Sequence, residues 1–284
     1  MSLVTVLISS FDGYSECWGP VCHGFKKYWP DCPYPVLLMT NTKDHPDDMV
    51  KVLKVGGGRD WSGRMITALE RIETPYVMYF QEDYWINAPV DTPKITSYVD
   101  LMERHGLNYV RLLSKPLPDR DYEHDPRLGV LATDAEYRTS VQITFWRREV
   151  LRDLLRPGES VWQFELNGTE RSRKYGDSFV SIKQVDGDDY HHGIRYVCTA
   201  VNLGKWSTMA RPYVEREGLT VDFSVLPSET RWDDFRRHHP LGQFWVRWSG
   251  RGKLLVCSPR EALRKLGNRL SGRAVRVSTN RLHP

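Results

Sequence analysis

A chain of 284 residues, 40% hydrophobic and 27% charged, is long enough to bury a sizeable core and has the balance of a folded globular protein, not a disordered one. A formal charge of +4 is too small to make nucleic acid the partner of the whole surface, and no apolar run approaches the roughly 20 residues of a membrane span. Ten tryptophans and 14 tyrosines stand out, since aromatic faces offer apolar contact with a polar handle to bases and sugar rings.

Residues 3–8, LVTVLI, predict a strand closed by the turn chemistry of S-S-F-D-G. A helix follows, interrupted near Gly19-Pro20, and a second strand over 36–39 ends at Thr40-Asn41. Residues 50–55 predict a third strand running into Gly56-Gly57-Gly58, a flexible turn without the spacing of a phosphate-cradling loop. Asp60 is placed to N-cap a helix with Trp61, Met65, Ala68, Leu69 and Ile72 on one face, and Thr74-Pro75 stops it. Residues 76–80, YVMYF, are too few for a helix and read as a strand covered on both faces, ending in Gln81-Glu82-Asp83-Tyr84. This order predicts parallel pairing with right-handed crossovers and a ligand crevice at the carboxyl ends of the strands, where residues 9–14, Asn41 and residues 81–84 converge.

Beyond it, strands are expected over 108–113, 140–146 and 194–201, and a short helix over 147–155. Ser160-Val161-Trp162-Gln163 has the form of a capping box and opens another helix. From 251 onward nearly every charge is basic, and Leu263, Leu266 and Leu270 recur at near-helical spacing among Arg260, Arg264, Lys265 and Arg269. Such a helix either packs on the main domain or lies on anionic lipid. The expected organisation is one catalytic domain over 1–248, with halves at 1–90 and 91–248, and a basic C-terminal extension over 249–284. Five cysteines without paired CxxC spacing support neither a disulfide framework nor a zinc site and read as free thiols in a reducing compartment. With no apolar leader before the first strand, the expected location is cytoplasmic, and peripheral at the inner face of the membrane if the basic tail lies on lipid.

Glu82 and Asp83 are the sharpest chemical feature. Adjacent acids directly after a buried strand either bind a hard divalent cation, Mn²⁺ or Mg²⁺, or only hydrogen-bond nearby backbone. The order of strand, S-S-F-D-G-Y loop, strand ending T-N, helix beginning D-W-S-G-R, and hydrophobic strand ending Q-E-D-Y resembles the nucleotide-binding half of GT-A glycosyltransferases, whose hallmark is a D-x-D motif at this place. The likeness covers roughly residues 3–86, extends more weakly to about 206, and departs from the pattern at Gln81, which stands where the first Asp would be.

The resemblance implies an α/β, Rossmann-like mixed sheet flanked by helices. It also implies transfer of a sugar from a nucleoside-diphosphate donor, a UDP-sugar foremost, to a hydroxyl of a glycan or lipid-linked glycan, metal-dependent and with inversion. Asp83 with Glu82 would hold the metal, with His191 from the late D-D-Y-H-H loop as a further ligand. Ser9, Ser10, Phe11, Asp12, Tyr14, Asn41 and Gln81 would surround the nucleotide, and Lys205 would neutralise the leaving diphosphate. Trp61 either packs in the core or closes over the nucleotide, whereas Arg64 is better placed to meet an anion. Glu165 in V-W-Q-F-E resembles the aromatic-then-acid segment that supplies the base, with Glu170 and Asp177 in reserve; its alternative is a salt-bridging surface acid. Tyr84, Trp162 and Trp206 are the expected acceptor contacts. Two other readings stay open: a nucleotidyltransferase, although S-S-F-D-G-Y lacks its Gly-rich basic loop, and a non-catalytic carbohydrate-binding protein on a degenerate transferase fold.

Overall fold

The computed structural model describes residues 2–230 and 233, apart from 59, 115, 184–192 and 198. The chain partitions into Met1–Ser228 and Glu229–Pro284, and the first unit is the subject below. The extension expected over 249–284 and the metal candidate His191 lie outside the described residues.

The first half runs β1 (Val4–Ser9), a 3₁₀ segment (Asp12–Cys17), α1 (Trp18–Tyr28), β2 (Val36–Thr40), β3 (Lys51–Lys54), α2 (Trp61–Leu69), β4 (Tyr76–Gln81) and β5 (Trp85–Ile86). Then come α3 (Thr92–His105), β6 (Tyr109–Arg111), β7 (Arg120–Asp121), β8 (Leu128–Val130), β9 (Thr144–Arg147), α4 (Arg148–Leu154) and α5 (Val161–Ser172). The unit closes with β10 (Phe179–Ile182), β11 (Tyr196–Val197), β12 (Val201–Asn202), β13 (Lys205–Trp206) and α6 (Ala210–Glu217).

The expected mixed α/β architecture is present as a nine-stranded sheet in the order β3-β2-β1-β4-β9-β6-β10-β8-β7. The strands β3, β2, β1 and β4 are parallel to one another, whereas β9 is antiparallel to both β4 and β6. Side-chain alternation explains the helices on both faces. From β1 and β4, Val4, Val6, Ile8, Tyr76, Met78 and Phe80 join a core with α1, α3 and α6. Leu7, Val77 and Tyr79 point the other way into a core with α2, α4 and α5.

Helix starts follow their local signals. Asp60 accepts from Gly63 N at 2.9 Å, and Ser160 and Gln163 exchange both bonds of a capping box. The break expected near Gly19-Pro20 falls slightly earlier, where the 3₁₀ segment gives way to α1 at Trp18 and Pro20 occupies the first helical turn. The strand expected over 140–146 begins only at Thr144. Ahead of it, Ser140 N donates to Tyr109 Oη and Val141 N to Glu165 Oε1, so side chains take the bonds a ladder would use. The strand expected over 194–201 is instead two short strands: β11 pairs β5, and β12 pairs β13.

Glu217 ties the last helix to the first. Its side chain is 1% exposed, and its oxygens accept from Lys27 Nζ at 2.7 Å, Tyr28 Oη at 2.7 Å and Arg216 Nε at 2.9 Å, with His23 Nε2 at 3.0 Å. Burial opposes ionisation here, but these donors outweigh it and hold the carboxyl well below the usual range. A depressed folded-state pKa contributes stability that is present above the unfolded value of about 4.3 and lost as pH falls through the folded one. Glu217→Gln should therefore lower Tm at neutral pH, and the gap to wild type should close progressively below about pH 4, as followed by thermal melts across pH.

Candidate active site

With β2 and β3 on one side of β1 and β4 on the other, the order of connection reverses between β1 and β4. A crevice opens at such a point, beyond the carboxyl ends of the two strands. The cleft found there has a volume of about 220 Å³. Ser9, Ser10, Phe11 and Tyr14 form its β1 side, Trp61 and Arg64 come from the first turn of α2, and Tyr79, Gln81, Glu82 and Asp83 come from the end of β4. Val161 and Trp162 of α5 and Val201, Leu203 and Gly204 of the β12–β13 hairpin complete it.

Glu82 and Asp83 are 7% and 4% exposed. The backbone around them is held on three sides. Glu82 N donates to Ser9 O at 3.3 Å, Trp85 Nε1 donates to Glu82 O at 3.0 Å, and Ala200 N donates to Asp83 O at 2.9 Å. Asp83 Oδ2 accepts from Val201 N at 3.3 Å, while Asp83 Oδ1 is buried and has no hydrogen-bond partner among the described residues. Burial, and then the neighbouring Asp83 charge, push Glu82 well above the usual carboxylate range, with the Arg64 charge opposing. Burial likewise raises Asp83 against the bond from Val201. An orphaned carboxylate oxygen beside a second buried acid fits a hard divalent cation, which selects oxygen donors and needs few protein ligands because it keeps several waters.

The remaining cleft groups are placed for an anion and an aromatic ring. The Arg64 guanidinium lies 5.4 Å from the Phe11 ring centroid, and Phe11 and Tyr14 form a tilted pair at 4.5 Å. Phe11 sits directly over Gly13, where a Cβ would come within 2.4 Å of its ring. Trp61 takes an intermediate position, lining the cleft, donating from Nε1 to Ser9 Oγ at 3.1 Å and packing against Phe164 at 5.3 Å. Ser10 Oγ accepts from Trp18 Nε1 at 2.7 Å.

Several expected contacts sit elsewhere. Asp12 does not line the cleft. Its carboxylate accepts from the backbone of Asn41, Thr42 and Lys43 and from Thr42 Oγ1, while Asn41 Oδ1 accepts from Asp12 N. The two residues therefore clamp the end of β2 to the 3₁₀ segment. Trp206 is buried between Trp85 and Phe223, and Tyr84 is buried with its hydroxyl donating to Val141 O, so neither is a lining residue. Lys205 lies on β13, also outside the lining set. Glu165 lies one turn beyond the cleft residues Val161 and Trp162, and its Oε1 accepts from Val141 N at 2.9 Å and Ser140 Oγ at 3.1 Å. Burial raises its pKa, opposed by these bonds and by the Arg111 charge. Tyr79, Val161, Val201, Leu203 and Gly204 join the site without having been singled out from the sequence. Only the Leu203-Gly204 turn carries a local signal, a glycine between two short polar-apolar segments.

No family model matches the chain, and no curated protein matches it in sequence. Some solved structures show a distant likeness, with TM-scores below 0.5 for the three described next. The mannosyltransferase PcManGT from Pyrobaculum calidifontis, in complex with GDP-Man and Mn²⁺, is 13% identical at a TM-score of 0.46, covering 94% of this chain and 80% of that one. Glucosyl-3-phosphoglycerate synthase from Mycobacterium tuberculosis, with Mn²⁺ and UDP-glucose, is 12% identical at 0.42, covering 76% and 79%. S. aureus TarS 1–349 is 12% identical at 0.43, and the likeness covers 69% of this chain but only 60% of that one.

Two buried carboxylates with raised pKa values make the cation-free fold lose stability as pH rises above about 4 and through those raised values, because the folded state there binds more protons than the unfolded one. In chelator-treated protein Asp83→Asn should flatten that slope and raise Tm at neutral pH. Added Mn²⁺ should stabilise the wild type and leave the variant unmoved, in a thermal-shift titration.

Proposed function

We propose that this chain is a nucleotide-sugar-dependent glycosyltransferase, which binds a nucleoside-diphosphate sugar with Mn²⁺ or Mg²⁺ in the β1–β4 cleft and passes the sugar to an acceptor hydroxyl. The observation that carries this reading is the Glu82–Asp83 pair, two ionisable carboxylates buried at a strand-order switch point with one oxygen orphaned and an arginine across the cleft. A divalent cation held by Asp83 and Glu82 would offset diphosphate charge as it develops on the leaving group. Arg64, fixed over Phe11, adds a positive group for the same anion. Phe11 and Tyr14 offer faces for a base, and the uncharged Gln81 at the strand end offers an amide to a ribose hydroxyl.

Inversion needs a base opposite the leaving diphosphate, and Glu165 is the proposed one. Its carboxyl is desolvated, which raises its basicity, and the bonds from Val141 and Ser140 hold it in one place. The same bonds give it a second possible duty. Val141 O accepts from Gln81 Nε2 at 3.4 Å and from Tyr84 Oη at 3.2 Å, so Glu165 also steadies the segment that positions Gln81. A glutamine at 165 keeps an oxygen for Val141 N but cannot accept a proton, which separates the two duties.

The acceptor proposed is a glycan or lipid-linked glycan, received at an apolar rim. Trp162 is 58% exposed and Leu203 72%, both at the cleft. Leu203 has φ +49°, a left-handed conformation that a leucine adopts at a cost of about 1 kcal/mol. Asparagine tolerates that conformation better, so Leu203→Asn should leave Tm equal or higher while raising the KM for acceptor, with donor hydrolysis unchanged, in steady-state assays.

The decisive experiment presents a panel of nucleotide sugars with Mn²⁺ and measures nucleoside-diphosphate release with and without glycan acceptors. Asp83→Asn should lose metal-dependent donor binding. Glu165→Gln should bind donor normally and lose transfer by about 10²–10⁴-fold. Normal transfer by Glu165→Gln would reduce Glu165 to a positioning residue. Binding of glycan without nucleotide binding or release would favour a carbohydrate-binding protein on this fold, the reading that Gln81 and the exposed Trp162 also accommodate.

A further inference from the structure

Away from the cleft, Trp18, Cys22 and Lys26 follow one another at one-turn intervals along α1 and face residues 41–50, the connection between β2 and β3. The Trp18 ring meets the His45 ring edge-on at 5.8 Å, and Lys26 Nζ lies 2.8 Å from Asp47 Oδ1 and 3.1 Å from Asp48 Oδ1. Between these two contacts, one donor atom each from Cys22, His45 and Asp47 lie within 4.8 Å of one another. Cys22 is fully buried, and His45 Nε2 is a buried ring nitrogen with no hydrogen-bond partner among the described residues.

We propose that Cys22, His45 and Asp47 form a second metal site, distinct from the cleft, that takes a borderline transition ion of the Zn²⁺ class through one thiolate, one imidazole nitrogen and one carboxylate oxygen. The donor set decides the class. Magnesium, calcium and manganese favour oxygen donors, as at Glu82 and Asp83, whereas a sulfur and an imidazole beside one carboxylate suit zinc. Zinc bonds of about 2.0–2.3 Å require the three donors to close by roughly 1 Å, a movement within the irregular 41–50 connection. A fourth position stays open to water. Lys26 is half exposed and retains Asp48 as its partner when Asp47 turns to the ion.

The chemistry balances without a further reactant. Burial pushes the Cys22 thiol up to about 12, so the thiol is protonated before the ion arrives, and its proton passes to solvent as the sulfur–metal bond forms. Burial also lowers His45, leaving a neutral ring nitrogen to coordinate. The structural effect is to staple the 41–50 connection to α1. That connection begins at the Asn41 and Thr42 contacts of Asp12, next to the Phe11 wall of the cleft. The proposal is independent of the glycosyltransferase reading.

Anaerobic titration of the chelator-treated full chain with Co²⁺ tests it. The wild type should develop a thiolate-to-cobalt charge-transfer band and intense visible bands of a four-coordinate ion. Cys22→Ser and His45→Ala should lose them, and Asp83→Asn should keep them, which sets this site apart from the carboxylate pair. Absence of the band in folded wild type, or its persistence in Cys22→Ser, overturns the proposal, the latter because another of the five cysteines would then be the ligand. Should Cys22→Ser fail to fold, His45→Ala decides, read in the Asp83→Asn background where the cleft pair takes no cation: Zn²⁺ should raise the Tm of Asp83→Asn and not that of the double variant, and equal shifts refute the site.

Discussion

The candidate site depends on one cost, that of removing two adjacent carboxylates from water at the tip of β4. An isolated buried carboxylate is so unfavourable that it takes up a proton or finds a cation. In this fold neither acid can turn outward, because the surrounding backbone is bound on every side: Glu82 N extends the β1–β4 ladder onto Ser9, the Trp85 indole caps Glu82 O, and Ala200 and Val201 bond Asp83. A strand covered on both faces supplies the rigidity. Nearly every residue of β4 is buried, alternately between α1 and α2, so the hydrophobic cores on the two faces hold an arrangement that the acids alone would relax.

What was legible in the sequence was what is local. The apolar runs of β1, β2 and β4 mark strands by composition, the α2 and α5 starts carry caps within four residues, and Glu82-Asp83 follows directly from the strand before it. Helix α3 carries its signals too, with Asp91 accepting from Lys94 N and Gly106 at φ +63°. Its buried Ile95, Tyr98, Val99 and Met102 stand at i, i+3, i+4 and i+7, an amphipathic stripe as local a signal as that of α2. Strands β10 and β8 and helix α6 are short elements whose identity comes from partners far along the chain. The place of β9 between β4 and β6 is likewise a long-range pairing that no local pattern contains.

The same contrast runs through the site residues. Asp12 carries the right chemistry for a ribose, but four donors from residues 41–43 claim its oxygens, and nothing near Asp12 announces them. Trp206 was singled out for being aromatic, and residue type does not tell a platform from a core residue. Its burial against Trp85 and Phe223 does. Residues 140–143, Ser-Val-Gln-Ile, look like the start of a strand because polar residues alternate with β-branched apolar ones, yet a glutamate 24 residues ahead takes the Val141 N–H. Leu203, conversely, looks unremarkable as a letter and matters through a backbone angle that only coordinates reveal.

The β12–β13 hairpin then connects the two ends of the cleft. Its first residue, Val201, donates to Asp83 Oδ2, and its turn puts Leu203 at the mouth, with Gly204 so near Tyr14 that a Cβ there would stand 3.9 Å from the hydroxyl. One short rigid element therefore touches the acid that would hold the cation, the ring offered to the base and the apolar rim offered to the acceptor. Both residues of its two-residue turn have positive φ, the torsions of a tight hairpin, so Leu203 and the Asp83 contact at Val201 belong to one short piece of backbone. On the proposed reading, donor-side and acceptor-side recognition would share the same few backbone torsions, with the exposed Leu203 as the apolar tip of the turn.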